Sequence, residues 1–140
     1  MSDIEVVRDQ FEAVNERDFA RAMSHYADDV VLGVHGGGIT DGTFYGRDAV
    51  GAWFGDWFRA FDRDAHFDIT ELTRLDEGVV LAVAEHHASG RASGVVVHDT
   101  FIWLYDVREG KVAALDMYPS REAAVAAAAK RPASAGDAPG

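Results

Sequence analysis

The chain has 140 residues, 48% of them hydrophobic, which is enough for one sizeable core and too little for two. Its 24 acidic against 13 basic residues leave a formal net charge of -11, which disfavours nucleic acid, and no stretch reaches the roughly 18 apolar residues that a membrane span needs. The absence of cysteine excludes disulfides, thiolate metal sites and a cysteine nucleophile, and with no basic segment leading into an apolar run near residue 1 a cytoplasmic protein is expected.

Ser2-Asp3-Ile4-Glu5 has the spacing of a capping box, and Val6, Val7, Phe11 and Val14 recur at helical intervals, so a first helix is predicted to about Glu16. Asp18 can cap a shorter second helix carrying Phe19, Met23 and Tyr26 and ending at Ala27-Asp28-Asp29; Val30 to Val34 then read as a short buried strand. His35 to Gly42 is glycine-rich and predicted as a loop, a candidate lid at a pocket mouth; Gly36-Gly37-Gly38 lacks the Lys-Ser/Thr of a phosphate loop. A helix beginning near Arg47 carries Val50, Trp53, Phe54, Trp57, Phe58 and Phe61 on one bulky apolar face. Extended stretches are predicted at 66–75, 79–89, 95–107 and 111–118, followed by an alanine-rich helix at about 120–129. Residues 1–129 are expected to form one domain, and 130–140, rich in Pro, Ala, Gly and Ser, a disordered tail.

Helices followed by hairpin-linked strands give α+β order: a curved antiparallel sheet wrapped around helices and enclosing one apolar pocket. The strand at 95–107 is apolar on both faces, with Val97, Phe101, Trp103 and Tyr105 on one and Val96, Ile102 and Leu104 on the other. One face would meet the helices; the simplest cover for the other is a second copy, so a homodimer is expected.

Four strings carry a family resemblance: Val-Asn-Glu-Arg-Asp (14–18) leading to Tyr-Ala-Asp-Asp-Val (26–30), then Tyr-Gly-Arg-Asp-Ala-Val (45–50), and Trp-Leu-Tyr-Asp-Val-Arg-Glu-Gly-Lys-Val (103–112). On these the chain resembles the nuclear transport factor 2-like superfamily, which includes ketosteroid isomerases, limonene epoxide hydrolases, scytalone dehydratase and SnoaL-like polyketide cyclases. The resemblance implies a cone-shaped fold and spans several activities. Where the isomerases place a carboxylate base this chain has Val34, and where they place an oxyanion-binding tyrosine it has Gln10 or Phe11. The water-holding pair of the epoxide hydrolases maps to Leu32 and Val34, and their last-strand aspartate to Met117. The late acidic residue of the cyclases maps to Met117 or Ser120. By the same resemblance Leu32, Val34, Ala84, His86, Ala88, Asp99, Phe101, Trp103, Tyr105, Leu115 and Met117 face the pocket.

A turn centred on Arg91 to Gly94 sets Gly90 opposite Val95 and, counting back, His86 opposite Asp99. That pair reads either as a general base with its orienting carboxylate or as a buried pair that fixes register; a slip of one residue would turn His87 or His98 inward instead. His66 opens a strand as the acid/base histidine of the dehydratases does, or is a surface histidine. Tyr26 reads as a hydroxyl that polarises a carbonyl or as core packing. Phe11, Trp53, Trp57, Trp103 and Tyr105 would stack on a flat substrate or simply fill the core. His86 and His87 point to opposite faces and cannot share an ion, so neither a metal nor another cofactor is expected. Asp116 is placed on the outward face of the last strand.

Together these readings predict an enzyme of cyclase, isomerase or dehydratase type acting on a hydrophobic small molecule of polycyclic or polyketide-like character. His86 supported by Asp99 would be the base, and His66 or Tyr26 the acid. The alternative is a non-catalytic ligand-binding or dimerisation module, and a third reading is an epoxide hydrolase-like activity.

Overall fold

A computed structural model describes residues 1–36, 42–62, 64–90 and 93–130. The chain runs α1 (Asp3–Asn15), α2 (Phe19–Ser24), β1 (Tyr26–Val34), β2 (Gly42–Tyr45), α3 (Arg47–Arg59), β3 (His66–Asp76), β4 (Val79–Ser89), β5 (Val96–Arg108), β6 (Lys111–Tyr118) and α4 (Arg121–Ala129). The capping box forms as its spacing predicts: the Ser2 side chain accepts the Glu5 N–H, and the Glu5 carboxylate accepts the Ser2 N–H at 2.9 Å. Two boundaries differ from the sequence reading. Tyr26 begins β1 instead of ending α2, and residues 42–45 add a short edge strand to what was read as loop. The expected disordered tail, apart from Lys130, and the centre of the proposed lid, Gly37 and Gly38, lie outside the described residues.

One sheet of order β2-β1-β6-β5-β4-β3 carries the fold. Its neighbours are antiparallel except β1 and β6, which run parallel, so the sheet is mixed and not purely antiparallel. Register shifts at Ile69/Glu71, Arg74/Asp76 and Asp106/Val107 bend it, since a bulge lengthens one strand against its partner. The curved, unclosed sheet turns one face onto α1, α2 and α3, and the main core lies between them, with Val6, Val7, Val30, Leu32, Val50, Leu115 and Tyr105 almost fully buried.

The outer face has a cover that the sequence did not suggest. Helix α4 lies on it, and Ala124 and Val125 pack with Leu81, Ile102 and Tyr118. Ile102 and Leu104, whose apolar face was the reason to expect a second copy, are therefore already buried, and along this part of the outer face it is Val96 that stays open.

Helix α1 is fastened at both ends to the β3–β4 hairpin. At its start Asp3 accepts from the Gly78 N–H at 3.1 Å and pairs with Arg74 at 2.8 Å. Gly78 has φ +74, and a Cβ there would meet the Val107 carbonyl at 2.6 Å, so the turn requires glycine. At its end the Asn15 carboxamide donates to the Phe67 carbonyl and accepts the Phe67 N–H, both at 2.8 Å. Arg17, in a left-handed turn at φ 62, donates to the carbonyls of Val14 and Ala65. The first resemblance string is thus a clamp. The next two meet each other: Arg47 donates to the Tyr26 carbonyl at 3.0 Å and pairs with Asp28, and Gly46 N–H binds the Val30 carbonyl at 2.8 Å. Replacing Asn15→Ala strands both backbone groups of Phe67 and is expected to lower the unfolding free energy by about 1–3 kcal/mol in urea titrations, whereas Asn15→Asp should keep half of the contact and lose less.

Candidate functional site

Helix α3 crosses the concave face with Gly51, Phe54, Gly55 and Phe58 turned toward α1 and α2, and between these helices and the sheet lies a cavity of about 630 Å3. Two glycines four residues apart leave this stripe of α3 without the side chains that would fill the space. A Cβ at Gly55 would meet nothing closer than Arg59 at 3.8 Å. The walls are mainly apolar, from Phe11, Val14, Met23, Phe54, Phe58 and Phe67.

A few polar groups interrupt this surface. The Tyr105 hydroxyl donates to Gln10 Oε1 at 2.8 Å, a buried bond between β5 and α1. Tyr26 and Trp103 also belong to the lining, and their polar atoms, Tyr26 Oη and Trp103 Nε1, are buried with no hydrogen-bond partner among the described residues. An unpaired buried donor costs about 1–3 kcal/mol, so two in one cavity wall are unusual unless something supplies an acceptor. Burial pushes the Tyr26 hydroxyl pKa well above its ordinary value; burial does the same to Tyr105, with Tyr26 adding to it, so both remain protonated donors. Arg17, Arg59 and Asp62 add the charged groups, and among the described residues Asp62 is the one carboxylate in this lining.

The His86–Asp99 register is as the hairpin count predicts, and His86 faces inward with no exposed surface. The expected hydrogen bond between the two is not made: Asp99 is exposed, and both ring nitrogens of His86 lack a partner. Instead the imidazole sits in an aromatic cage, with ring centroids of Trp57 at 4.7 Å, Phe61 at 4.9 Å, Phe67 at 5.0 Å and Phe101 at 5.6 Å. Desolvation lowers its pKa to about 4, and the charge of Asp99 pulls the other way without prevailing. Trp57 and Phe67 stand over it, and His86 is not part of the cavity lining described above.

A model of the SnoaL-like domain matches residues 7–115. The chain belongs to this family, within the nuclear transport factor 2-like superfamily. No curated protein matches the sequence. Among solved structures, Bal32a from a soil-derived mobile gene cassette is similar at TM-score 0.74 and 18% identity, over 83% of this chain and 87% of its own. RV0760c from Mycobacterium tuberculosis, in complex with estradiol-17beta-hemisuccinate, is similar at TM-score 0.73 and 20% identity, over 87% and 97%. TerC, co-crystallised with polyporic acid, is similar at TM-score 0.72 and 15% identity, over 86% and 93%. At these identities the likeness is one of fold.

In this SnoaL-like domain four of the expected pocket residues line the cavity: Phe11, Tyr26, Trp103 and Tyr105. Leu32 and Leu115 are wholly buried in the core, and Val34, Phe101, Met117, Trp53 and Trp57 pack against that core without lining this cavity. The tryptophans miss it because α3 turns its glycine stripe to the cavity: Trp53 packs on Phe44 and Phe54, and Trp57 on Phe67 and His86. His66 is corrected more fully. Phe67 is the inward residue of that pair, so His66 stands exposed on the outer face, with Nδ1 2.9 Å from the Asp64 carbonyl, and cannot serve the cavity. Asp116 takes its expected outward place and binds His35 at 2.8 Å. The sequence reading missed Gln10, Gly51, Gly55 and Asp62 in the lining; the paired glycines on a helix otherwise so bulky were the available signal.

Because the folded chain resists protonating His86 until about pH 4 while an unfolded imidazole titrates near 6.5, stability falls as pH drops through that window. His86→Phe, which keeps the aromatic cage filled, should lose about 2 kcal/mol less than the parent between pH 7 and pH 5 in urea titrations. Equal losses in the two proteins would show that His86 does not titrate as a buried group.

Proposed function

We propose that this SnoaL-like domain binds a flat, largely apolar small molecule bearing a carbonyl or hydroxyl oxygen, and performs acid/base chemistry of the cyclase, isomerase or dehydratase kind on it. The observation that carries this reading is the pair of buried, unpartnered donors, Tyr26 Oη and Trp103 Nε1, on two residues that line a mainly apolar cavity. A ligand oxygen held by either would end an unsatisfied burial, and donors fixed in a dry site stabilise charge that builds on that oxygen as a neighbouring C–H bond loses its proton. Asp62 replaces His86 as the proton acceptor in this scheme: although exposed to solvent, it belongs to the lining and His86 does not. The ligands in the RV0760c and TerC structures support a small-molecule occupant.

A second reading, carriage of the ligand without turnover, draws on the screening of His86 by Trp57 and its lack of an orienting partner. A homodimer remains a proposal as well, and would have to use the part of the outer face around Val96, which is 80% exposed.

Quenching of tryptophan fluorescence by estradiol-17beta-hemisuccinate and by polyporic acid gives a first measure of occupancy. Gly55→Leu, which projects into the cavity from a helix position free of backbone strain, should abolish binding while leaving the thermal melt unchanged or higher. Tyr26→Phe should weaken it about tenfold, the worth of one buried hydrogen bond to the ligand. Once a substrate is in hand, Asp62→Asn separates the two readings: turnover collapses with affinity retained if Asp62 takes the proton, and no turnover in the parent leaves carriage alone.

A further inference from the structure

The outer face of the sheet carries a group of side chains that neither the cavity nor the core uses. Cross-strand register sets His66 of β3 opposite His87 of β4, and His87 opposite His98 of β5, so three adjacent strands present one imidazole each on the same face. The rings lie nearly parallel, 5.1 Å and 4.4 Å apart. Two residues along β3 from His66, and so on the same face, Asp68 brings a carboxylate oxygen to 3.3 Å from His87 Nε2 and 3.7 Å from His66 Nε2.

Those separations have a chemical meaning. Ligand atoms bound to zinc at about 2.0–2.1 Å in a tetrahedron lie about 3.3 Å from one another; the Asp68 oxygen already stands near that separation from both ring nitrogens, and with all three atoms within 4.8 Å of one another a turn of the two stacked rings would bring them onto one ion. Two imidazoles and one carboxylate, with solvent on the open side, make a donor set suited to zinc and its neighbours in the first transition series. The overall charge of -11 favours a cation further.

We propose that His66 Nε2, His87 Nε2 and Asp68 Oδ2 form a binding site for one divalent transition-metal ion on the outer face of the sheet, with the remaining position taken by water. Glu85, His87 and His98 form a second trio around the same central histidine. There, however, Glu85 Oε1 and His98 Nε2 are 2.7 Å apart, a direct hydrogen bond shorter than a tetrahedral edge, which an ion would have to break. His98 instead stacks on His87 and steadies its ring. The ion joins edge strand β3 to β4 at the level of Phe67 and His86, whose side chains occupy the other face, and so stiffens the sheet behind the aromatic cage.

The test is titration of Zn2+ alone into protein free of any polyhistidine tag, followed by calorimetry and thermal melts, with Co2+ as a spectroscopic substitute. One equivalent should bind and raise the melting temperature, and Co2+ should develop the intense visible absorption of four-coordinate geometry. His87→Ala, His66→Ala and Asp68→Asn should each weaken binding by at least about tenfold, and His98→Ala by less than about threefold. His66 and Asp68 are exposed, so these variants should fold as the parent does, which their metal-free melts check independently. Absence of saturable binding by the parent below millimolar Zn2+, or loss of binding in His98→Ala with retention in His66→Ala, would overturn the assignment.

Discussion

Two hydrogen bonds between the Asn15 carboxamide and the backbone of Phe67 hold the architecture of this domain in place. β3 is the last strand of the sheet, and its outer N–H and C=O groups have no strand to meet. Asn15 supplies, from the end of a helix, the donor and acceptor that a neighbouring strand would have supplied. The same residue thereby fixes where α1 lies on the sheet, while Asp3 fixes its other end at the β3–β4 turn. Phe67, held at this point, packs against Phe11 of α1, Trp57 of α3 and the His86 ring of β4. The helix, the edge strand and the aromatic layer between them are therefore positioned through one amide group, and the cavity is the space they leave.

Polar groups inside the domain divide into those that are satisfied and those that are not, and both kinds occur among the residues of the cavity wall. Gln10 and Tyr105 complete each other across α1 and β5. Tyr26 and Trp103, in the same lining, do not find partners, and His86 is caged without one behind Trp57. A neutral imidazole surrounded by rings behaves as one more aromatic filler at neutral pH, and acts as a polar group when acid forces a proton on it. The groups able to meet a ligand are thus the hydroxyl and indole N–H on the inside and the charged residues Arg17, Arg59 and Asp62.

Much of the fold was legible in the sequence because period and punctuation agreed there. The β4–β5 register followed from one turn, and it put His86 opposite Asp99 because alternation leaves few ways to bury a strand apolar on both faces. The site was less legible, for reasons that single residues make plain. Register decides the face of a side chain but not its depth: Asp99 shares a face with His86 and is nevertheless in solvent. Helical period identifies an apolar stripe but not its exact centre, and a small rotation of α3 moved Trp53 and Trp57 off the cavity and brought Gly51 and Gly55 onto it. Asp28 and Asp29 looked like a solvated helix end, although they lie in a strand whose outer side is wet. Nothing in an alanine-rich segment says which side of a sheet it will cover, so α4 was free to take the face assigned to a second subunit.

The glycine stripe of α3 separates the contents of the cavity from the stability of its walls. Helix α3 is anchored by Val50 and by its tryptophans, whereas Gly51 and Gly55 hold nothing in place and serve by being small. A side chain at Gly55 takes volume from the cavity without touching the clamp, the sheet or the aromatic cage, whereas one at Gly51 has to displace Met23, whose Cε its Cβ would meet at 3.3 Å. The room on the concave face can therefore be resized at one helix position, Gly55, with little demand on the rest of the protein.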